Sequence, residues 1–247
     1  MERRIERFDS VDSTMTIAAK LAGEGCASGT VVVAEEQTAG IGRHGHTWIS
    51  EKGTGLYASI VLRLPLEARS LPVVMLALGL ATRDAIVEIT SLVPDLRWPN
   101  DVLINGRKCA GILAQLEADA IIAGIGINVG QTSFPPGLDT PATSLLLEGA
   151  RIDREELLAK LVDAVDRCCS VLTEDGPAAI LRMFEASSSY ARGRRVRVGQ
   201  AGGMIEGVTA GLDGSGFLIV QQDDGKLTTV LAGGVRECAP IPAEERR

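Results

Sequence analysis

A lysine stands where a buried strand begins. Lys108 precedes Cys109-Ala110-Gly111-Ile112-Leu113, and Arg97-Trp98-Pro99-Asn100-Asp101 lies just upstream. Core strands rarely open on a charge. Lys108 therefore reads either as a solvated hairpin lysine or as a fixed ammonium that neutralises a carboxylate and the phosphate it attacks. Preorganised cations lower the barrier when two anions must meet. A second group is Gly40-Ile41-Gly42-Arg43-His44-Gly45, followed by Trp48. Glycines let backbone N–H groups approach an anion, and a guanidinium offers a fork matched to phosphate or carboxylate. Such a loop can close over a reactive phosphorylated intermediate and exclude water. Asn128, ending Gly124-Ile-Gly126-Ile-Asn128, reads either as a turn residue or as an amide that contacts a base or ribose.

The glycine loop matches G-x-G-x-x-G, which in a dinucleotide fold must follow a strand and open a helix. The strand is expected at Thr30–Glu35, a β-branched run. The helix is not: Thr47-Trp-Ile-Ser and the glycines at 53 and 55 cannot make one. A bland surface loop is the other reading, but it leaves the arginine, the two histidines and Trp48 unaccounted for.

The elements that must position these groups follow from periodicity. Asp12-Ser13-Thr14 caps a short helix with Met15, Ala18, Ala19 and Ala22 on its apolar face. Leu56–Leu64 alternates as a strand. Residues 70–90 form a deeply packed helix. Leu96–Trp98 is extended before Pro99. Asn105-Gly106 predicts a hairpin, because a type I′ turn needs positive φ at both positions. Gly111–Glu117 and Ala120–Val129 follow as two strands that must be antiparallel. Asp153–Leu172 and Pro177–Ser187 are amphipathic helices. Beyond residue 190, short strands punctuated by Gly202-Gly203, Gly211, Asp213-Gly214, Asp223-Asp-Gly225 and Gly233-Gly234 predict a small β module.

Composition narrows the function classes. The 247 residues are 45% hydrophobic and 23% charged, enough apolar area to build a core. No uninterrupted apolar run reaches the length of a spanning helix, the longest being Leu71–Ala81. The N-terminus lacks a secretory h-region, so a cytoplasmic protein without a membrane partner is expected. Lysine and arginine number 25 against 32 acids, a net charge of −7, which argues against a nucleic-acid binder. The one dense basic cluster, Arg192 to Arg197, reads as the outer face of a strand. Five cysteines without a C-x-x-C pair fit a reducing compartment, and two histidines make a zinc site improbable.

Taken together, Asp12-Ser13-Thr14, the stretch from Ala34 through Gln37 and the glycine loop to Trp48, Arg97–Asp101, Lys108-Cys-Ala-Gly111-Ile-Leu and Gly124–Asn128 resemble the biotin protein ligases. The resemblance runs in order along essentially the whole chain. It implies an α+β fold: a class II synthetase-like catalytic domain (residues 1–190), with a mixed or antiparallel sheet flanked by helices, and a small SH3-like β-barrel (191–247). It implies a two-step enzyme using ATP, Mg²⁺ carried with the nucleotide rather than on a fixed protein site, and biotin. Biotinyl-5′-AMP would form first. A lysine on the biotin carrier domain of acetyl-CoA carboxylase or a related carboxylase would then accept the biotin.

By the same resemblance, Ser13, Thr14, Met15, Gln37, Ile41, Gly42, Arg43, Lys108 and Gly111 would bind biotin. Arg43, Trp48, Asn100, Asp101, Lys108 and Asn128 would bind the nucleotide, with Lys108 and Arg43 catalytic. The chain departs from the family pattern in three ways. Ile41 and His46 replace arginines of the loop, which predicts a less tightly held adenylate. Met15 stands where Asn is common. Only about ten residues precede Asp12, so a monofunctional type without the N-terminal DNA-binding domain is expected, as monomer or homodimer. A lipoate ligase or octanoyltransferase, and a non-enzymatic biotin sensor, are the rival readings.

Overall fold

The computed structural model describes residues 3–200 and 203–238. Gly202 of the expected Gly202-Gly203 turn and the last residues of the expected 191–247 module lie outside them. The elements run β1 (Ile5–Phe8), α1 (Thr14–Gly23), β2 (Val31–Ala34), β3 (Gly55–Leu62), α2 (Leu71–Ile89), β4 (Asp95–Arg97), β5 (Asp101–Ile104), β6 (Arg107–Glu117) and β7 (Ala120–Asn128). Then come α3 (Arg154–Glu174), α4 (Pro177–Ser187), β8 (Arg192–Gln200), β9 (Gly203–Leu212), β10 (Leu218–Gln221), β11 (Leu227–Val230) and β12 (Val235–Glu237).

The first seven strands form one sheet in the order β1-β2-β3-β7-β6-β5-β4. Every pair is antiparallel except β1–β2, so the sheet is mixed. Strand β1 is an element the sequence did not announce. Its four residues alternate between exposed and half-buried, with Ile5 on the exposed side, so no apolar period marks it.

Both faces of the sheet are covered. Helices α2, α3 and α4 pack on one, joined there by Ile60, Leu103, Ile112, Ile125 and Ile127. Helix α1 covers part of the other through Met15, Ala18 and Ala22, against Val61 and Ile122. This explains why β3, whose alternation predicts one wet face, is buried at all eight positions. The stretch Ala68–Ile89, though interrupted by Arg69, Arg83, Asp84 and Glu88, is by length and composition apolar enough to cross a membrane. Yet 61% of its most apolar window lies inside the protein, where Val74, Leu76, Leu78, Leu80 and Ile86 build the core.

The C-terminal strands form a second sheet in the order β11-β10-β9-β8-β12. The expected barrel is instead an open sheet: among the described residues no ladder joins β11 to β12. All three residues of β12 pair with β8. The second sheet is fastened to the first unit by the Trp98 indole, which donates to Gly216 O at 2.9 Å, and by Glu185, which accepts from Leu212 N and Arg192.

Candidate active site

The sheet face that α1 leaves open carries the chemistry. At one end stands the N-terminus of α1, capped by Ser13, whose hydroxyl accepts from Met15 N at 3.3 Å. Thr14 donates from its backbone N (2.8 Å) and its hydroxyl (3.0 Å) to Gln37 Oε1 and also touches Ser59 Oγ at 2.8 Å. Gln37 Nε2 donates to Ser50 Oγ at 2.8 Å. This is a tight polar nest of neutral donors and acceptors, built to read an uncharged polar group rather than an anion.

The floor is flat because glycines make it so. Gly111 on β6 pairs directly with Gly126 on β7, and Trp48 lies over both. A Cβ at Gly111 would sit 2.8 Å from the indole, and one at Gly126 would collide with it. Gly124 gives the same room to Met15 Sδ. Trp48 Nε1 is buried and finds no hydrogen-bond partner among protein groups, nor does Gln131 Oε1 nearby.

Lys108 reaches this face through a β-bulge. Leu103 pairs with Lys108, but Val102 pairs with Ala110, so Cys109 is an extra residue in β6. Strand side chains alternate, so without it Lys108 and Gly111, three apart, would face opposite ways. With it the Lys108 ammonium lies 3.1 Å from where a Gly111 Cβ would stand and 5.4 Å from the Trp48 ring centroid. The hairpin turn is as expected, with φ of 51° at Asn105 and 72° at Gly106. The segment after β7 clamps the lysine's backbone, since Lys108 N donates to Pro141 O and Thr143 N donates to Lys108 O.

Asp101 is the hub of the charges. Its carboxylate holds Lys108 at 2.5 Å and Arg97 at 2.5 Å. Burial pushes this carboxyl up, but Lys108 and Arg97 outweigh it and hold it below the usual carboxylate range. Arg97 also donates to Thr140 at 2.8 Å. Arg43 has no carboxylate partner among the described residues; it donates to Asn100 Oδ1 at 3.1 Å and reaches Gly233 O at 3.5 Å. Burial lowers its pKa, partly offset by Asp101. Asn100 in turn donates to Ile112 O, and Asn128 donates to Thr143 O and Lys108 O. The Asn128 amide thus braces the backbone on either side of the clamp.

The glycine loop folds back on itself without opening a helix. Gly42 N donates to His46 O at 2.7 Å, Trp48 N to Gly40 O at 2.9 Å, and a single 3₁₀ turn spans Arg43–Gly45. His44 sits at φ 55°, a left-handed position that favours glycine. A dinucleotide loop is excluded by this geometry.

All the residues singled out from the sequence, from Ser13 to Asn128, line one cavity of about 1100 Å³. That volume exceeds what a single small acid needs. Sequence reasoning missed several of its walls. Arg97 was seen only as part of a motif, and the 133–142 segment carried no signal beyond its prolines and glycine. The second sheet, whose basic cluster from Arg192 to Arg197 reads from the sequence as the outer face of a strand, brings Arg197, Met204, Val235 and Arg236 to the cavity.

Cys109 takes no part as a nucleophile. It is buried, bonded to Val102 O, and burial pushes its thiol up to about 12. No three Asp, Glu, His or Cys side chains converge on a metal position among the described residues. Asp101 is held by two cations and Asn100 Oδ1 by Arg43, so this donor set does not build a resident Mg²⁺ cage.

Comparison with known proteins agrees with the geometry. The model of the "Biotin/lipoate A/B protein ligase family" matches residues 7–131, and that of the "Biotin protein ligase C terminal domain" matches 192–235. The biotin--[acetyl-CoA-carboxylase] ligase of Mycobacterium tuberculosis is 35% identical over 214 residues, 83% of this chain and 77% of that protein. The bifunctional ligase/repressor BirA of Bacillus subtilis is 33% identical over 233 residues, 91% of this chain and 71% of that protein. The biotin protein ligase of Aquifex aeolicus, solved with biotin and ATP, superposes with a TM-score of 0.84 at 32% identity, covering 96% of this chain and all of that one. With both of its sheets matched and its cavity built from the motif residues, the chain belongs to the biotin protein ligases.

Proposed function

We propose that the chain joins biotin to ATP and passes it to a lysine of a carboxylase carrier domain, and that the residues lining the cavity divide this work by chemistry. In the first step a biotin carboxylate oxygen bonds to the α-phosphorus of ATP, the bond from that phosphorus to the bridging oxygen breaks, and pyrophosphate leaves. In the second, the carrier's ε-amine attacks the acyl carbon of the mixed anhydride, gives up a proton, and AMP departs.

The polar nest of Ser13, Thr14 and Gln37 takes the neutral ureido ring, and Met15 packs beside it. Lys108 contacts the carboxylate and the α-phosphate, with Arg43 on the phosphate side. Ile41 and Gly42 cover the adenylate, Trp48 packs on it, and Gly111 keeps the floor open. Asn100 orients Arg43, Asp101 orients Lys108, and Asn128 holds the backbone beneath them. Mg²⁺ arriving with ATP spreads the triphosphate charge. Acetyl-CoA carboxylase or a related carboxylase is the acceptor, the reaction runs in the cytoplasm, and the working division of the chain falls at 190/191, just before β8 begins at Arg192.

One observation carries the reading: a bulge turns Lys108 into the cavity that the ureido-type nest also lines. Incubating the protein with ATP, Mg²⁺, biotin and a carrier domain, then probing with avidin, should reveal a biotinylated carrier. Lys108→Met should fold normally and lose about 100-fold or more of biotin-dependent pyrophosphate exchange, the scale of losing one preorganised donor. Exchange at the unmodified rate would remove Lys108 from the reaction.

A further inference from the structure

Five cations line the cavity: Arg43, Arg97, Lys108, Arg197 and Arg236. Three are engaged by carboxylates, Arg97 and Lys108 by Asp101 and Arg236 by Asp139 at 3.1 Å. The remaining two, Arg43 and Arg197, have none among the described residues. Arg197 is singular on its own strand as well. The other arginines of β8 each hold an acid: Arg192 with Glu185, Arg194 with Glu237 and Arg195 with Asp223. Arg197 stands across from Glu206 on β9 and Arg236 on β12, and no ion pair forms with Glu206.

Position ties Arg197 to the nucleotide end. Arg43 reaches Gly233 O, and the adjoining Gly234 and Val235 line the cavity beside Arg197. The ureido-type nest lies on the first sheet, at α1. Even with its Mg²⁺, a fully ionised ATP together with the biotin carboxylate carries more negative charge than Lys108 and Arg43 offset, and a guanidinium without a carboxylate is free to take a phosphate in a bidentate grip.

Building on the ligase reading above, we infer that Arg197 of the second sheet binds the β,γ-phosphates of ATP and releases them as pyrophosphate. It acts in the adenylation step alone, because the second step has no pyrophosphate to hold. The second sheet is then a substrate-binding element rather than a structural appendix.

The two half-reactions separate the possibilities. Arg197→Ala and Arg197→Gln should raise the KM for MgATP and the inhibition constant for pyrophosphate about tenfold, the scale of one charge-assisted contact. Inhibition by AMP, transfer from chemically prepared biotinyl-5′-AMP to the carrier, and thermal stability should not change. Arg197→Lys should recover part of the loss. Equal damage to both half-reactions, or no change in either constant, would overturn the assignment. Absence of pyrophosphate exchange in the unaltered protein would instead refute the ligase reading itself, a different result.

Discussion

Asp101 binds two cations with one carboxylate, and that arrangement has a pH signature. Its folded pKa lies below the 3.8 of the free side chain, so the native state holds fewer protons than the unfolded one across that range. The pair therefore stabilises fully above about pH 4 and its contribution is lost as pH falls through the depressed pKa. Asp101→Asn should cost about 3 kcal/mol at pH 7, because it leaves a buried Arg97 and a half-buried Lys108 without their acid. In urea denaturation the gap between variant and parent should narrow below pH 3.8. A gap that stays constant down to acid pH would show that packing, not charge, is what Asp101 supplies. The motif was legible in the sequence at this scale, whereas the pairing was not. Arg97 and Asp101 adjoin across β4–β5, but nothing in the letters says that Lys108 completes the triad.

Among the elements, the paired glycines of β6 and β7 carry a prediction of their own. Gly126→Ala would drive a methyl into the Trp48 indole. Overpacking of this kind costs about 1–3 kcal/mol. The ring should yield before the sheet does. The variant should keep its fold while biotinyl-5′-AMP escapes several-fold faster, read by rapid filtration of the preformed complex. Unaltered retention would mean that Trp48 does not hold the adenylate. Helices α1, α3 and α4 and the Asn105-Gly106 hairpin were readable because caps and turn φ values are local demands. Strand β1 was not, since a four-residue edge paired in parallel to β2 needs no apolar period. Nor was the burial of both β3 faces, which depends on where α1 lands.

For the whole molecule, the net charge of −7 coexists with a cavity lined by five basic side chains. Three acids, Glu51, Asp101 and Asp139, line it too, which leaves a small positive excess in the cavity of a negatively charged chain, so the field that attracts ATP is local rather than global. Three buried thiols set an alkaline limit on stability. Burial pushes Cys109 and Cys168 to about 12 and Cys169 to about 11, against a free value of 9.0. These groups stay protonated when folded and ionise when unfolded, so stability is intact below pH 9 and declines as pH rises toward their folded values. Each thiol should remove about 1.4 kcal/mol per pH unit in that window. Urea titrations between pH 8 and 11 should show this loss, and replacing all three cysteines with alanine should flatten the curve. What the sequence could not reveal here is the second sheet's approach to the cavity, because the docking of Trp98 on Gly216 and of Glu185 on Leu212 and Arg192 brings Arg197 there.

The bulge at Cys109 has a consequence for how this hairpin tolerates change. The side chain at 109 touches no substrate position, so a range of small residues would serve there. What matters is that position 109 stays outside the ladder, since that lets Lys108 and Gly111, three apart, share a side. The hairpin is thus indifferent to spelling at that point and sensitive to register. Drawing Cys109 into a regular ladder would turn the ammonium to the helix-covered face without altering any residue of the motif, whereas deleting it would leave Lys108 and Gly111 two apart and on one side.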